Sequence, residues 1–375
     1  MRVDTVLLKV ASRCNLDCGY CYVYNMGDDS WRSMPKRMDP QVMAETCAQL
    51  GRLQIAQDHP FAVVLHGGEP LLLGPAKLGE LFSLLRTELG HRCSINVQTN
   101  GVLIEDAVLD LCAEHRVRIS VSLDGPAAIH DLNRKDRRGL NSHAAVVAGI
   151  AKAQAHPESE EIFSGVLAVV DPTTDPHEIY DYFASLGVPS VDFLYRDGNH
   201  ATLPFGKAAV ESVEYGAWMS TVLERYLADP TPPRIRVLDD MMRLMLGQPG
   251  LKEGVGLTDF GILVIDTDGS ITKNDTLKST PGGDRFSEPW HVQRSEIAAL
   301  VATQEFLEIH RMQRPSATQC RRCPELAICG GGMVTHRFSA DNGYDNPTVF
   351  CADQMLLIAR MRDHLSRQVA LRSAA

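Results

Sequence analysis

The chain has 375 residues, 44% hydrophobic, 22% charged and only 6% aromatic, enough to bury two or three domain cores or one large α/β barrel with an appendage. Its 37 Lys and Arg stand against 47 Asp and Glu, and the formal net charge of −10 excludes the broad basic face that a nucleic-acid partner requires. No apolar run reaches the ~20 residues of a membrane helix, and no cleavage site follows the short apolar N-terminal stretch, so a cytoplasmic location with no membrane partner is expected.

Apolar, strand-like runs alternate with amphipathic stretches over the first half. Strands are predicted over 5–11, 62–68, 93–101, 118–125, 162–170 and 190–196, and helices over 41–56, 75–89, 105–115, 143–155 and 176–186. Strands spaced by helices of this length make βαβ units on a parallel sheet. Periodicity fits an incomplete (β/α) barrel and an open sheet equally well. A Gly/Pro/Asn-rich linker occupies 197–206. Helices are then predicted over 207–228 and 234–247, the second carrying Val237, Met241, Met242 and Met245 at the spacing of a packed face. A hairpin over 261–275 turns at Asp268-Gly269, a Cys- and Gly-rich stretch spans 316–354, and a helix over 352–369 closes the chain.

Ten cysteines are too few for a disulfide scaffold in a chain of this length, so their clusters read as metal or redox ligands. Cys14, Cys18 and Cys21 form C-x3-C-x2-C directly after the first strand. Three such thiolates hold three irons of a cubane cluster and leave the fourth iron open, the condition for catalysis at a metal. Zinc would need a fourth Cys or His, and none lies nearby. Cys320, Cys323, Cys329 and Cys351 make a second, complete set, which alone would serve zinc or an iron–sulfur cluster. Beside the first set, a second iron–sulfur centre is the better reading. Cys47, Cys93 and Cys112 sit in helix or strand patterns and read as buried thiols.

The run ASRCNLDCGYCYV resembles the signature of the radical S-adenosylmethionine (SAM) superfamily, as do HGGEP (66–70), QTNG (98–101), SVSLDGP (120–126) and HDLNR (130–134) at the ends of successive elements. The resemblance implies an α/β fold, a partial (β/α)6 TIM-like barrel with its site at the C-terminal strand ends. It further implies a [4Fe–4S] cluster whose open iron binds SAM and whose electron cleaves it to a 5′-deoxyadenosyl radical. Tyr20 then lies near the adenine, and Gly67, Gly68 and Glu69 receive the SAM amino group, the glycines by letting the chain approach the ligand. Asn100 ends the third strand, Ser122 and Asp124 lie near the SAM carboxylate and ribose, and Asp131 with Arg134 forms a D-x-x-R element with Arg134 as carboxylate clamp. Ser122, Asp124 and Arg134 also read as ordinary capping or salt-bridge residues.

The C-terminal third resembles a SPASM-type auxiliary cluster domain. That pattern usually carries two auxiliary clusters, but Met333 and Asn274 stand where cysteines are usual, and no cysteine lies between Cys112 and Cys320. One auxiliary [4Fe–4S] cluster, at Cys320, Cys323, Cys329 and Cys351, is therefore expected. The resulting domains are a barrel over 1–206, a helical bridge over 207–255, the auxiliary-cluster domain over 256–354, and a C-terminal helix and tail over 355–375.

Residues 10–38 and 264–279 resemble the Fxs-type peptide maturases, which join an aromatic ring to a β-carbon in ribosomally synthesised precursor peptides, forming cyclophanes. This implies a precursor-peptide partner and an external electron donor such as flavodoxin or ferredoxin. With the first strand starting by residue 5, no N-terminal leader-binding domain is expected. Rearomatisation loses a proton and an electron. Asp266, Asp268 and Asp275 are base candidates, with turn chemistry as their alternative, and Asp259 is another. Trp31 in the loop 27–38 would cover SAM, grip an acidic peptide, or simply anchor a solvated loop. Phe338 and Tyr344 would pack around the auxiliary cluster or touch substrate. Other outcomes on the same fold are a thioether crosslink, epimerisation or formylglycine-type sulfatase maturation, and a zinc-stabilised binding protein is the non-enzymatic rival.

Overall fold

β1 (Thr5–Ala11) is apolar on one face throughout and on much of the other, and Val6, Leu8, Val10 and Ala11 are completely buried. Such a strand belongs in the middle of a sheet, and it pairs in parallel on both sides. The computed structural model describes residues 2–258 and 260–373. On one side of β1 stand β2 (Ala62–Gly67), β3 (Ser94–Thr99), β4 (Arg118–Ser122) and β5 (Phe163–Val169), each parallel to its neighbour. Further along the chain, β6 (Ser190–Leu194) and β7 (Arg234–Ile235) pair in parallel with each other. On the other side of β1 stands β8 (Ile262–Ile265), followed by two antiparallel strands, β9 (Ser270–Thr272) and β10 (Trp290–His291). All six predicted strands form, and the mostly parallel sheet is that of an α/β fold.

Two compact units divide the chain, Met1–Leu167 with Phe260–Ile309, and Ala168–Asp259 with His310–Ala375. In the first lie α1 (Pro40–Gln57), α2 (Pro75–Leu89), α3 (Asp106–Glu114), α4 (Ala127–Asn133), α5 (His143–Ala155) and the single turn α6 (Ser159–Ile162). Local chemistry sets where these helices start: Asp39 accepts the backbone N–H of Gln41 at 2.8 Å and Pro40 opens α1. In the second unit α7 (Pro176–Leu186) repeats the device with Asp175 and Pro176, and Gly187 at φ +65 ends it.

Two predicted helices shift. The one expected from 207 begins at Glu214, as α8 (Glu214–Ala228), because the chain wraps the buried Lys207 ammonium, which donates to the Ser212 carbonyl. The one expected from 234 is α9 (Arg236–Met245), since Arg234 and Ile235 join β6 as a strand. On α9 the buried positions are Leu238, Asp240 and Met241, while Val237, Met242 and Met245 are half-buried. Short helices α10 (Ile297–Val301), α11 (Gln304–Met312), α12 (Thr318–Arg321) and α13 (Leu326–Cys329) precede the long α14 (Cys351–Ser373). Among the described residues no helix is long and apolar enough to cross a membrane. Asp259, one of the base candidates, and residues 374–375 of the predicted tail lie outside the described residues.

Candidate active site

Side chains alternate along a strand, so residues at matching register share a face. Lys9 on β1 is opposite His66 on β2, and Asp266 continues β8 one residue past Ile265, which is opposite Leu8. Gln98 on β3 donates to the Ser122 hydroxyl of β4 at 2.9 Å. The C-terminal strand ends therefore present a polar row from Asp266 to Ser122 above an otherwise apolar sheet.

The three-thiol loop leaves β1 at this end. Cys14, Cys18 and Cys21 are each half-buried, and burial pushes Cys14 up to about 12, Cys18 up to about 11, and Cys21 upward. As bare thiols they stay protonated, and cationic iron is what makes such groups thiolates. Hydrogen-bond donors already surround the sulfurs: Leu16 N–H at 3.4 Å and Asn100 Nδ2 at 3.6 Å from Cys14 Sγ, and Arg134 Nη1 at 3.9 Å from Cys18 Sγ. Asn15 holds Asn100 in place by accepting its amide at 2.7 Å. Donors to cluster sulfur are the means by which a protein tunes an iron–sulfur centre. The residues present fit the cluster.

Beside this loop, Tyr20 donates to Asp124 Oδ2, which also accepts from Arg134 Nε at 3.0 Å. The Arg134 guanidinium lies 5.5 Å from the Tyr20 ring, and Asp124 and Arg134 are both buried. The structure thus brings together three of the predicted SAM-contacting residues as one ion-paired cluster. Asp131 separates from its motif partner: its Oδ1 accepts the N–H groups of Ser142 and His143 at 3.0 Å each, so it caps α5.

Glu69 and its glycines are held tightly by their neighbours. Glu69 is fully buried and accepts Leu71 N–H at 3.0 Å, Thr99 Oγ1 at 2.7 Å and Asn100 N–H at 2.8 Å. Three of roughly four acceptor sites are used inside the protein, tying the end of β2 to the end of β3. A Cβ on Gly67 would stand 2.2 Å from the Ala11 carbonyl oxygen, and one on Gly68 would stand 2.0 Å from Tyr24 Oη and 2.3 Å from the Arg13 carbonyl. The close approach these glycines permit is to β1 and its exit loop.

The hairpin holds the base candidates. Asp268 Oδ1 accepts Ser270 N–H and Oγ at 2.9 and 2.6 Å, ordinary turn chemistry beside Gly269 at φ +93. Asn274 caps the short turn Asp275–Ser279 by accepting Thr276 N–H at 3.2 Å. Asp275 is 1% exposed, accepts from Tyr22 Oη at 3.1 Å and lies 3.3 Å from Lys9 Nζ, while Asp266 lies 3.9 Å from the same ammonium. Burial alone would raise the Asp275 carboxyl, but Lys9, His66 and Tyr22 outweigh it and hold Asp275 below its usual range. Lys9 is the mirror image: burial would strip its proton, and Asp275 and Asp266 hold its pKa above the ordinary value. Burial lowers the pKa of His66, with Asp275 opposing. Among the described residues, Asp275 Oδ1 and His66 Nδ1 are buried and have no hydrogen-bond partner. A buried carboxylate oxygen left open next to the three-thiol loop, as Asp275 Oδ1 is, is where a substrate proton can be received. Sequence reasoning missed Lys9, Tyr22 and His66 as members of this group. The available signal was a lone lysine inside TVLLKVA.

The loop 27–38 is strapped to β1 through Ser12 N–H to Lys36 O and Met38 N–H to Val10 O, at 3.2 and 3.0 Å. Trp31 packs edge-on to Tyr24 at 4.9 Å, which anchors the loop.

In the second unit the four thiols sit at the α12–α13 turn and the start of α14. Burial pushes Cys329 up to about 12 and raises Cys320 and Cys351, and Cys329 and the other three influence one another's charge. All ten cysteines are free thiols. Among the described residues no three His, Cys, Asp or Glu side chains close on a single-ion position. A four-iron cluster, with each thiolate on its own iron, asks for a wider spacing than one ion does. Arg337, buried and hydrogen-bonded to the Met312 and Gln313 carbonyls, is pushed down to about 10 by burial, with Cys320 and Cys329 opposing. Nothing in the sequence singled it out. Phe338 and Tyr344 pack on each other at 5.4 Å.

Comparison with known proteins places these features in context. A family model described as the radical SAM superfamily matches residues 8–186. The serine-type anaerobic sulfatase-maturating enzyme of Klebsiella aerogenes is 32% identical over 348 residues, covering 90% of this chain and 81% of that protein. The solved structure of native anSMEcpe with bound AdoMet has a TM-score of 0.82 at 22% identity, covering 97% of this chain and 98% of that one. Streptococcus suis SuiB bound to precursor peptide SuiA has a TM-score of 0.62 at 12% identity, covering 92% of this chain and 74% of that one.

Proposed function

Since the chain belongs to the radical SAM superfamily, we propose that it is a maturase oxidising a side chain of a peptide or protein substrate by two electrons. The observation that carries this reading is Asp275, a buried, ionised carboxylate with one open oxygen, tied by Tyr22 to the three-thiol loop. When bound, the cluster at Cys14, Cys18 and Cys21 with SAM supplies hydrogen-atom abstraction from carbon, and the cluster at Cys320, Cys323, Cys329 and Cys351 supplies a one-electron acceptor. The chain's residues do the rest. Tyr20, Asp124 and Arg134 orient SAM, Glu69 braces the strand ends, and Asp275 takes the proton that the oxidised substrate must lose.

Within that class the product is a cyclophane in a ribosomally synthesised precursor peptide, a reading supported by residues 10–38 and 264–279. A specific observation favours a second product: the Klebsiella aerogenes relative is a sulfatase-maturating enzyme, and serine maturation would leave a formylglycine aldehyde. Incubation of the reconstituted protein with SAM, reductant and candidate peptide separates them. Both products lose two hydrogens, but only the aldehyde forms a hydrazone, and only the cyclophane shows a ring-to-Cβ bond by NMR. Zinc in place of iron, with SAM left intact, refutes both.

A further inference from the structure

Arg337 closes the short turn Thr335–Arg337, between Cys329 and Cys351 in the chain. At 1% exposure it is the bulkiest of the fully buried side chains among the described residues. Backbone bonds fix the turn against the segment that leads into α14. Arg337 N–H donates to the Val334 carbonyl and Val349 N–H to the His336 carbonyl, at 3.0 Å each, and Asn346 Nδ2 donates to the Arg337 carbonyl at 2.9 Å. Val349 stands two residues before Cys351. Arg337 Nη2 donates to the Met312 and Gln313 carbonyls. Its Nε is buried and, among the described residues, has no hydrogen-bond partner. No carboxylate among the described residues pairs with it; the charges that reach it are those of Cys320 and Cys329, and it acts in turn on Cys320.

A guanidinium keeps its proton in proteins, so burying one is costly unless an anion stands beside it. Two backbone carbonyls give Arg337 hydrogen bonds but no counter-charge. The thiols give one only as thiolates, the form that iron binding brings about. Four thiolates outweigh the charge of a four-iron core, so such a cluster is anionic, and an electron added to it makes it more so. We propose that Arg337 is the buried counter-ion of the cluster at Cys320, Cys323, Cys329 and Cys351, acting through it by raising its reduction potential. The proposal rests on the functional reading above, in which that cluster gains the one electron that the oxidised substrate loses. A fixed cation favours the form with one more negative charge, and the effect is strongest where little water screens it. The amide of Gln319, with Nε2 3.8 Å from Cys351 Sγ, is the contrasting contact: it is exposed and brings no charge.

The test uses the full chain carrying Cys14→Ala/Cys18→Ala/Cys21→Ala, reconstituted with iron and sulfide, so that the second thiol set alone holds a cluster and no SAM chemistry enters. Redox titration followed by the electron paramagnetic resonance signal of the reduced cluster gives its midpoint potential. Arg337→Gln keeps an amide donor for the two carbonyls and drops the charge. It should lower the ratio of reduced to oxidised cluster at a fixed potential about ten-fold, a shift of about 59 mV for one electron. Arg337→Lys keeps the charge and should stay close to the parent. If Arg337→Gln holds no iron, Arg337→Lys must hold it at the parent potential for the proposal to stand. An unmoved potential in Arg337→Gln overturns the counter-ion role. So does an equal fall in Arg337→Lys, or loss of iron from both variants, which leaves Arg337 as a brace for Met312 and Gln313. Zinc in place of iron in the parent refutes the cluster reading and the proposal together, a result distinct from iron at an unmoved potential. A potential that shifts as expected, in a protein that oxidises no peptide, supports the counter-ion and fails the functional reading instead.

Discussion

Replacing Lys9 by Met would leave two buried carboxylates facing an apolar side chain. Lys9 and Asp275 are separated by 3.3 Å, with side chains 4% and 1% exposed. At that separation, with an effective dielectric constant of about 20, their attraction is about 5 kcal/mol. Desolvation of both charges offsets much of this in the intact pair, whereas removal of one partner costs about 3–5 kcal/mol because the other stays buried and unpaired. Lys9→Met and Asp275→Asn should therefore each destabilise by several kcal/mol at neutral pH, and the double variant by much less than their sum. Chemical denaturation followed by circular dichroism gives all four corners of the cycle. The pH dependence has a definite sign. In the wild type the depressed Asp275 pKa contributes stability that is lost as pH falls through it. In Lys9→Met burial is opposed by Tyr22 and His66 without the ammonium, so that pKa rises and the gap between variant and wild type should narrow as pH falls. Additive single-variant effects, or a gap that widens in acid, would refute the ion-pair account.

Reconstitution should yield about eight irons, falling to about four in Cys14→Ala/Cys18→Ala/Cys21→Ala, as two four-iron clusters require, with iron counted colorimetrically. Tyr22→Phe removes a hydrogen bond to an ionised group, typically about 1.5–3 kcal/mol, and should move the acid limb of the activity–pH profile to higher pH in steady-state assays. Gly68→Ala forces a methyl against the Arg13 carbonyl, which cannot rotate away, and should cost about 3 kcal/mol or more in the same denaturation assay. Gly139→Ala meets nothing within 4 Å and should cost only the φ +81 strain, about 1–2 kcal/mol.

Strand and helix existence was legible wherever one face had to be buried, as in 62–68 against β2 or 75–89 against α2. The thiol sets were legible because metal-ligand spacing is local. What could not be read is pairing between distant segments. Nothing in GILVIDTDG announces that Ile262–Ile265 joins the far side of β1, so the meeting of Lys9 with Asp275 was invisible from either end. The same limit applies to Asp131, whose cap target lies 11 residues on, and to the start of α8, displaced by a lysine burying its ammonium. Glu69 shows a subtler limit: the motif identified the residue, but its hydrogen bonds from Leu71, Thr99 and Asn100, which tie two strand ends together, follow from no local pattern.

The pairing of β1 with β8 also orders events during synthesis. Thr5 leaves the ribosome early, but its partner Ile262 is made 257 positions later (262 − 5), a delay of well over ten seconds at about 5–20 residues per second. Until then β1 has an open edge, Lys9 has neither carboxylate, and the loop carrying Cys14, Cys18 and Cys21 is attached to an unfinished sheet. A nascent chain arrested before residue 260 should hence be prone to associate through that edge, and its three thiols would be open to oxidation before any iron arrives.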